Sequence, residues 1–238
     1  MKKGLTLVIG GAQGIGKSIF ESLIKKNKNT YVLDIKNIKS KNFIKVDLSS
    51  GSSIRKILNN KILKKYKIKN IIFCQRFRGE EIKNHFNVSL FSVASLIDQF
   101  EKKFLQNASV IVINSNSSKY ITDDQPLGYQ ASKAALINLV KFYAIKLGCK
   151  KIRFNSIVPA TMIKPTSAKF YKKSNKYKII TKKIIPLQRL GNTKDIVNLI
   201  DFLCSDKSSY ITGQSIYLDG GLSLMGQETV ARKLIKKH

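Results

Sequence analysis

Several things are scarce in this chain, and each shortage narrows its function. Cysteine occurs three times, at Cys74, Cys149 and Cys204, with no CxxC pair and no Cys/His cluster. A disulfide framework and a zinc site are therefore excluded, and a reducing cytoplasm is expected. Histidine occurs twice, as His85 and His238. No His/Asp/Glu constellation surrounds either one, so no metal is expected. No apolar run reaches 18 residues, so no membrane-spanning helix is expected. Met1-Lys-Lys followed by Leu5 to Ile9 resembles the start of a secretion signal, but Gln13 and Lys17 cut the apolar stretch short. Internal repeats and low-complexity linkers are absent as well.

Acidic residues are few: 14 Asp and Glu stand against 44 Lys and Arg, a formal net charge of +30. An excess of that size raises nucleic acid and acidic membranes as partners. Yet only six of the 44 are arginines (Arg55, Arg76, Arg78, Arg153, Arg189 and Arg232). Base and phosphate recognition draws on the guanidinium fork. The lysines are spread from Lys2 to Lys237, and Lys, Ile and Asn are abundant together. The excess reads as chain-wide compositional drift, and nucleic acid is disfavoured as a partner.

What remains is a chain of 238 residues, 43% of them apolar, a size that fits one domain with a substantial core. Short β-branched runs recur at 5–9, 30–34, 42–46, 70–74, 109–114, 152–158 and 214–219. Such unalternated runs suit central parallel strands. Between them lie helical stripes, including Ile15, Ile19, Leu23 and Ile24, and later Leu136, Leu139, Val140, Tyr143 and Leu147. Strand and helix in alternation predict an α/β fold: a Rossmann-like, doubly wound parallel sheet with helices on both faces, in one domain over 1–238. The stretch 159–185 is irregular, with two prolines and eight lysines. It reads either as a basic lid or substrate loop or as a solvated charged helix.

After the first strand the chain runs Gly10-Gly11-Ala12-Gln13-Gly14-Ile15-Gly16-Lys17. Glycines at a strand-to-helix turn let backbone N–H groups approach a pyrophosphate, and the helix N-terminus favours its charge. Asp34 ends the second strand 18 residues after Gly16, near the spacing at which a carboxylate meets the adenosine ribose. It would repel a 2′-phosphate, which favours NAD while Lys17 and Lys36 keep NADP open. Asp47 is a similar candidate on the adenine side; both aspartates could equally be turn formers.

Tyr129-Gln-Ala-Ser-Lys133 opens a helical segment, and the spacing of four puts phenol and ammonium on one face. A free phenol has a pKa of about 10. A cation about 4 Å away, at an effective dielectric near 20, is worth roughly 4 kcal/mol, enough to bring a phenol into the working range of acid–base catalysis.

Taken in order, GGAQGIG (10–16), Asp34, VDL (46–48), FNVSL with Asn87, INSNSS (113–118), YQASKAAL (129–136), RFNSIVPA (153–160), PLQRLGNTKDI (186–196) and ITGQSIYLDGG (211–221) resemble the short-chain dehydrogenase/reductase family along nearly the whole chain. The resemblance implies hydride transfer between a nicotinamide cofactor and a carbonyl or alcohol carbon. It implies Tyr129 as general acid/base, Lys133 supporting it and holding the nicotinamide ribose, and Asn87 anchoring a relay water. A serine polarises the substrate oxygen; Ser115 is preferred, with Ser117 as the fallback. Cofactor contacts are implied at Gly10, Gln13, Gly14, Ile15, Gly16, Asp34, Asp47, Leu48, Cys74, Tyr129, Lys133 and Pro159. A homodimer or homotetramer is implied through the helix bearing Tyr129.

Three features depart from the family. The Asn-Asn-Ala-Gly usual after the fourth strand is replaced by Cys74-Gln75-Arg76-Phe77-Arg78-Gly79, Ile9 replaces a threonine, and Ala160 replaces a glycine. Arg76 and Arg78 could clamp an anionic substrate or be surface residues. The expected protein is an NAD-preferring oxidoreductase that takes a small-molecule secondary alcohol or ketone. A 3-oxoacyl-carrier-protein reductase is the alternative within enzymes; a non-catalytic dinucleotide- or nucleic-acid-binding protein is the alternative outside them.

Overall fold

The computed structural model describes residues 4–235; His238 and the Met1-Lys-Lys start lie outside them. In chain order the strands are β1 (Leu5–Ile9), β2 (Thr30–Asp34), β3 (Phe43–Lys45), β4 (Ile68–Phe73), β5 (Phe104–Ile113), β6 (Arg153–Pro159), β7 (Met162–Ile163), β8 (Gly191–Asn192) and β9 (Ser215–Leu218). The helices are α1 (Gly14–Lys26), α2 (Gly51–Lys56), α3 (Lys61–Lys65), α4 (Ile82–Phe86), α5 (Ser92–Phe100), α6 (Leu127–Gly148), α7 (Ala168–Lys173), α8 (Asn175–Ile179), α9 (Thr193–Leu203) and α10 (Gln227–Ile235).

Seven strands form one parallel sheet in the order β3-β2-β1-β4-β5-β6-β9, and β7 pairs with β8 separately. Alternation along the strands divides the core in two. Leu7, Ile9, Leu33, Ile71, Phe73, Val110 and Val112 pack against Leu96 and Phe100 of α5 and Leu136, Val140 and Leu147 of α6. Their neighbours Val8, Val32, Ile72, Ile111 and Ile157 pack on the other face against Ile19 and Leu23 of α1 and Ile196 and Ile200 of α9. A strand buried on both faces cannot alternate apolar with polar residues, which is why the runs read as continuous.

The chain leaves β1 toward β2 and β3, then crosses back to place β4 on the other side of β1. At that switch point the turns after β1 and β4 diverge and leave a crevice beyond the carboxyl ends of the strands. The glycine turn follows β1 and the Cys74–Gly79 segment follows β4, so both border it.

Two sequence expectations are corrected in shape. The fifth strand begins at Phe104 instead of 109 because residues 104–108 continue the ladder beside β4, through an irregularity next to Ile68 and Asn70. The stretch 159–185 is mostly ordered: β7, a 3-10 turn at Pro165–Ser167, α7, α8 and a π-helical turn at Ile180–Ile184. Its charged residues lie on short helices, and Phe170, Tyr171 and Tyr177 pack edge-to-face among themselves. The cluster is a surface one, with Phe170 exposed and Tyr171 and Tyr177 half-buried.

Candidate active site

The turn after β1 is as tight as its composition suggests. Gly10 has φ +76°, and a Cβ there would lie 2.5 Å from the Gln75 backbone; a Cβ on Gly16 would lie 2.2 Å from the Gly10 carbonyl oxygen. Both positions therefore require glycine, since side-chain carbons do not approach backbone so closely. Asp34 is drawn into this turn: its carboxylate accepts from the Ala12 N–H at 2.9 Å and from the Lys36 N–H at 3.0 Å. Asp47 accepts from the Ser49 N–H at 2.9 Å, so it forms a turn and borders the crevice at once.

A single cavity of about 740 Å³ runs from this turn to α6. Gly10, Gln13, Gly14, Ile15, Gly16, Asp34, Asp47 and Leu48 line one end; Cys74, Arg76, Arg78, Ser115, Tyr129, Lys133 and Pro159 line the rest. Asn87 is the exception among the residues predicted from sequence. It begins a π-helical turn, Asn87–Phe91, and it is the neighbouring Val88 and Asn84 that reach the cavity wall.

Tyr129 and Lys133 are buried on the same face of α6, 7% and 4% exposed. The Lys133 ammonium lies 5.9 Å from the Tyr129 ring centroid and donates to the Ile113 carbonyl oxygen at 2.9 Å. Burial, then the nearby Arg76 cation, lowers the Lys133 pKa to about 8. Burial pushes the Cys74 thiol up to about 12, which keeps it a neutral wall residue. Ser115 follows β5, with its hydroxyl accepting from the Ser117 N–H at 3.2 Å. The Ser117 hydroxyl instead pairs with that of Thr122 at 2.9 Å. Both hydroxyls are thus engaged locally, since that of Ser115 also donates to Asn116 Oδ1 at 3.3 Å, and both serines line the cavity.

Other groups in and around this cavity were not anticipated from sequence. Asn114 is buried, and its Nδ2 has no hydrogen-bond partner, an orphaned donor in the cavity wall. Gln125 accepts from Arg76 at 2.7 Å and fixes its guanidinium over the Tyr129 ring, 4.3 Å from the centroid. His85, of no evident use by sequence, is 1% exposed and meets Tyr129 edge-on at 6.1 Å, with its Nε2 at 2.7 Å from the Gly79 carbonyl oxygen. Lys164, Tyr171 and Tyr177 enter the wall from the 159–185 segment. The sequence signals for this group were the unusual Gln-Arg-Phe-Arg after β4 and the reading of 159–185 as a lid or substrate loop; Asn114, Gln125 and His85 had none.

The residues fit a dinucleotide. A backbone cradle only glycine can form, a carboxylate and an orphaned amide donor line one continuous cavity of about 740 Å³. No metal-binding cluster of three or more His, Cys, Asp or Glu occurs among the described residues. Nor is any described helix long and apolar enough to cross a membrane.

Comparison with known proteins agrees with this geometry. The family model described as Enoyl-(Acyl carrier protein) reductase matches residues 10–223. A glucose 1-dehydrogenase of Gluconobacter oxydans is 36% identical over 116 residues, which is 49% of this chain and 43% of the relative. The chain thus spans about half the length of the first curated relatives it matches. A 3-oxoacyl-[acyl-carrier-protein] reductase of Buchnera aphidicola is 31% identical over 246 residues, covering 93% of this chain and 98% of the relative. A solved short chain dehydrogenase family protein from Francisella tularensis superposes with TM-score 0.78 at 28% identity, over 93% of this chain and 99% of that one. With a match that runs from the glycine turn past the last strand, on a sheet of this order, the chain belongs to the short-chain dehydrogenase/reductase family.

Proposed function

We propose that this protein is an NAD-preferring oxidoreductase interconverting a secondary alcohol and a ketone. One observation carries the reading: Tyr129 and Lys133 are buried side by side in the wall of the same cavity that has the glycine turn and Asp34 at its other end. Gly10, Gln13, Gly14, Ile15 and Gly16 receive the pyrophosphate, Asp34 the adenosine ribose, and Asp47 and Leu48 the adenine side; Cys74 and Pro159 flank the cofactor. Asp34 favours NAD over NADP by repelling a 2′-phosphate. When bound, the nicotinamide supplies or accepts the hydride.

The chain's own residues handle the proton. Tyr129 donates it to the substrate oxygen in reduction and withdraws it in oxidation. Lys133, anchored on Ile113, offsets the charge left on the phenol oxygen and holds the nicotinamide ribose. Ser115 donates to the substrate oxygen. Asn87, at its π-helical turn, anchors a water that returns protons from solvent. Residues 159–185 serve as a lid, through Lys164, Tyr171 and Tyr177. Arg76 and Arg78 favour an anionic substrate.

The enzyme works as a homodimer or homotetramer in the cytoplasm, joined through the exposed apolar face of α6 that carries Phe142 and Ile145. Reduction of a 3-oxoacyl group on an acidic carrier is a second reading, supported by the Buchnera relative's name and the chain's net charge of +30; it would be expected to need NADPH. Screening carbonyl and hydroxy compounds, an acyl-carrier thioester included, with each cofactor decides between them. Replacing Tyr129 by Phe should lower turnover by about 10²–10⁴-fold, the usual worth of acid–base catalysis. Equal turnover by both proteins would remove Tyr129 from this role.

A further inference from the structure

Arg76 and Arg78 come from the segment after β4 and Lys164 from the strand-to-lid connection, yet all three line the same cavity, Arg76 over the Tyr129 ring and Lys164 reaching from the side of the glycine turn, its Cδ 3.9 Å from where a Cβ on Gly14 would stand. Among the described residues none of the three has a carboxylate within ion-pair distance, although Asp124 borders the same cavity. Unpaired cations that face one another repel. Lys164 registers this: burial, then Arg78 and Arg76, pull its ammonium pKa down. Arg76 is also held in place. Its bond to Gln125 uses one N–H and leaves most of the guanidinium's five donors free.

We propose that Arg76, Arg78 and Lys164 form an anion subsite for the substrate itself, so that the enzyme acts on an oxo or hydroxy compound whose carboxylate or phosphate stands a few atoms from the reacting carbon. The separation follows from the stacking. Arg76 lies over the ring whose hydroxyl exchanges the proton, 4.3 Å from its centroid. A substrate oxygen must come within about 2.6–3.2 Å of that hydroxyl, and an anion oxygen within about 2.7–2.9 Å of the guanidinium. One substrate meets both only if its charged group lies within about 12 Å of its carbonyl oxygen, the sum of these reaches. Because Lys164 belongs to the 159–185 segment, an anion bound between it and the two arginines also draws that segment toward the β4 side. This inference rests on the oxidoreductase reading for the position of the reacting carbon, and on geometry alone for the subsite.

The test is calorimetric titration of the full-length protein at 0.15 M salt, with and without NADH, using malonate, uncharged dimethyl malonate and inorganic phosphate as probes. Malonate or phosphate should bind at least tenfold more tightly than the diester, and the one whose binding the arginine variants weaken identifies the substrate's anion, since phosphate can also seat on the glycine turn. Arg76→Gln and Arg78→Gln should each weaken the better anion by about tenfold. Lys25→Gln, on the exposed face of α1, should leave it unchanged. Equal binding of malonate and its diester would overturn the proposal, as would the same loss in Lys25→Gln as in the arginine variants, which marks general attraction to a basic protein. Anion binding without NADH binding would defeat the cofactor reading and keep the subsite; NADH binding without anion binding would do the reverse. Should one arginine variant fail to fold, the other still decides.

Discussion

The Lys133 ammonium donates to the carbonyl oxygen of Ile113 at 2.9 Å, tying the middle of the site to the last residue of β5. A buried charge with one neutral acceptor is expensive to desolvate, and its pKa falls from 10.5 to about 8. The unfolded chain therefore binds more protons at this position between pH 8 and 10.5, so the group costs stability below pH 8 and the cost is relieved as pH rises through that window. Relative to Lys133→Met, the wild type should gain at most about 3 kcal/mol from pH 8 to 10.5, at 1.36 kcal/mol per unit. Urea unfolding at both pH values measures the difference, and a constant gap would mean that Lys133 is not a buried charge.

Arg76 is the second cause of that depression, which gives activity a pH signature. The ammonium that offsets charge on Tyr129 is lost as pH rises past about 8 in the free enzyme, so kcat/KM should fall on an alkaline limb near that value. In Arg76→Gln one repelling cation is gone, and the limb should move up. A pH profile with a fixed limb in both proteins would separate Arg76 from Lys133. Loss of substrate affinity in the variant lowers the whole profile without moving the midpoint, so the two effects can be read apart.

Local chemistry decides how much of this could be read from the chain. The glycine turn, Asp34, Tyr129 and Lys133 were legible because each acts through its own residue type at a fixed sequence spacing. Their meeting in one cavity follows from the parallel sheet order. Gln125 and His85 were not legible, since they matter through contacts with residues 49 and 44 positions away that no local pattern encodes, Gln125 through Arg76 and His85 through Tyr129; Asn114 was not, since an orphaned amide shows only once its surroundings are placed. The ordered short helices of 159–185 were obscured for a different reason. Lysines mask the apolar periodicity there, and its aromatic rings, Phe170, Tyr171 and Tyr177, meet one another edge-to-face at the surface. Asn87 has a visible motif and begins a π-helical turn, while Asn84 and Val88 beside it line the cavity.

Asp34 offers a direct test of cofactor choice. Its two oxygens accept from the Ala12 and Lys36 N–H groups, so the carboxylate is fixed at the end of the cavity and cannot swing away from a 2′-phosphate. Replacing it with Ser should weaken NADH binding about tenfold and strengthen NADPH binding by a similar factor, with the Lys36 side chain then able to meet the phosphate. Titration of cofactor fluorescence reads both. Unchanged preference would assign discrimination to some other residue.

Gly16 separates cofactor binding from folding. A methyl group there would sit 2.2 Å from the Gly10 carbonyl oxygen and 3.0 Å from the Gly11 Cα. Both are backbone, so no side-chain rotation can relieve the clash, and the first turn of α1 must lift off the loop. Overpacking of this kind costs about 1–3 kcal/mol, which a domain of this size tolerates while remaining folded. Gly16→Ala should therefore keep native circular dichroism, melt several degrees lower and lose NADH affinity by about a hundredfold or more, because the displaced N–H groups are the ones that face the pyrophosphate. A variant that binds NADH like wild type would show that the turn has room to spare and that its glycines serve packing alone.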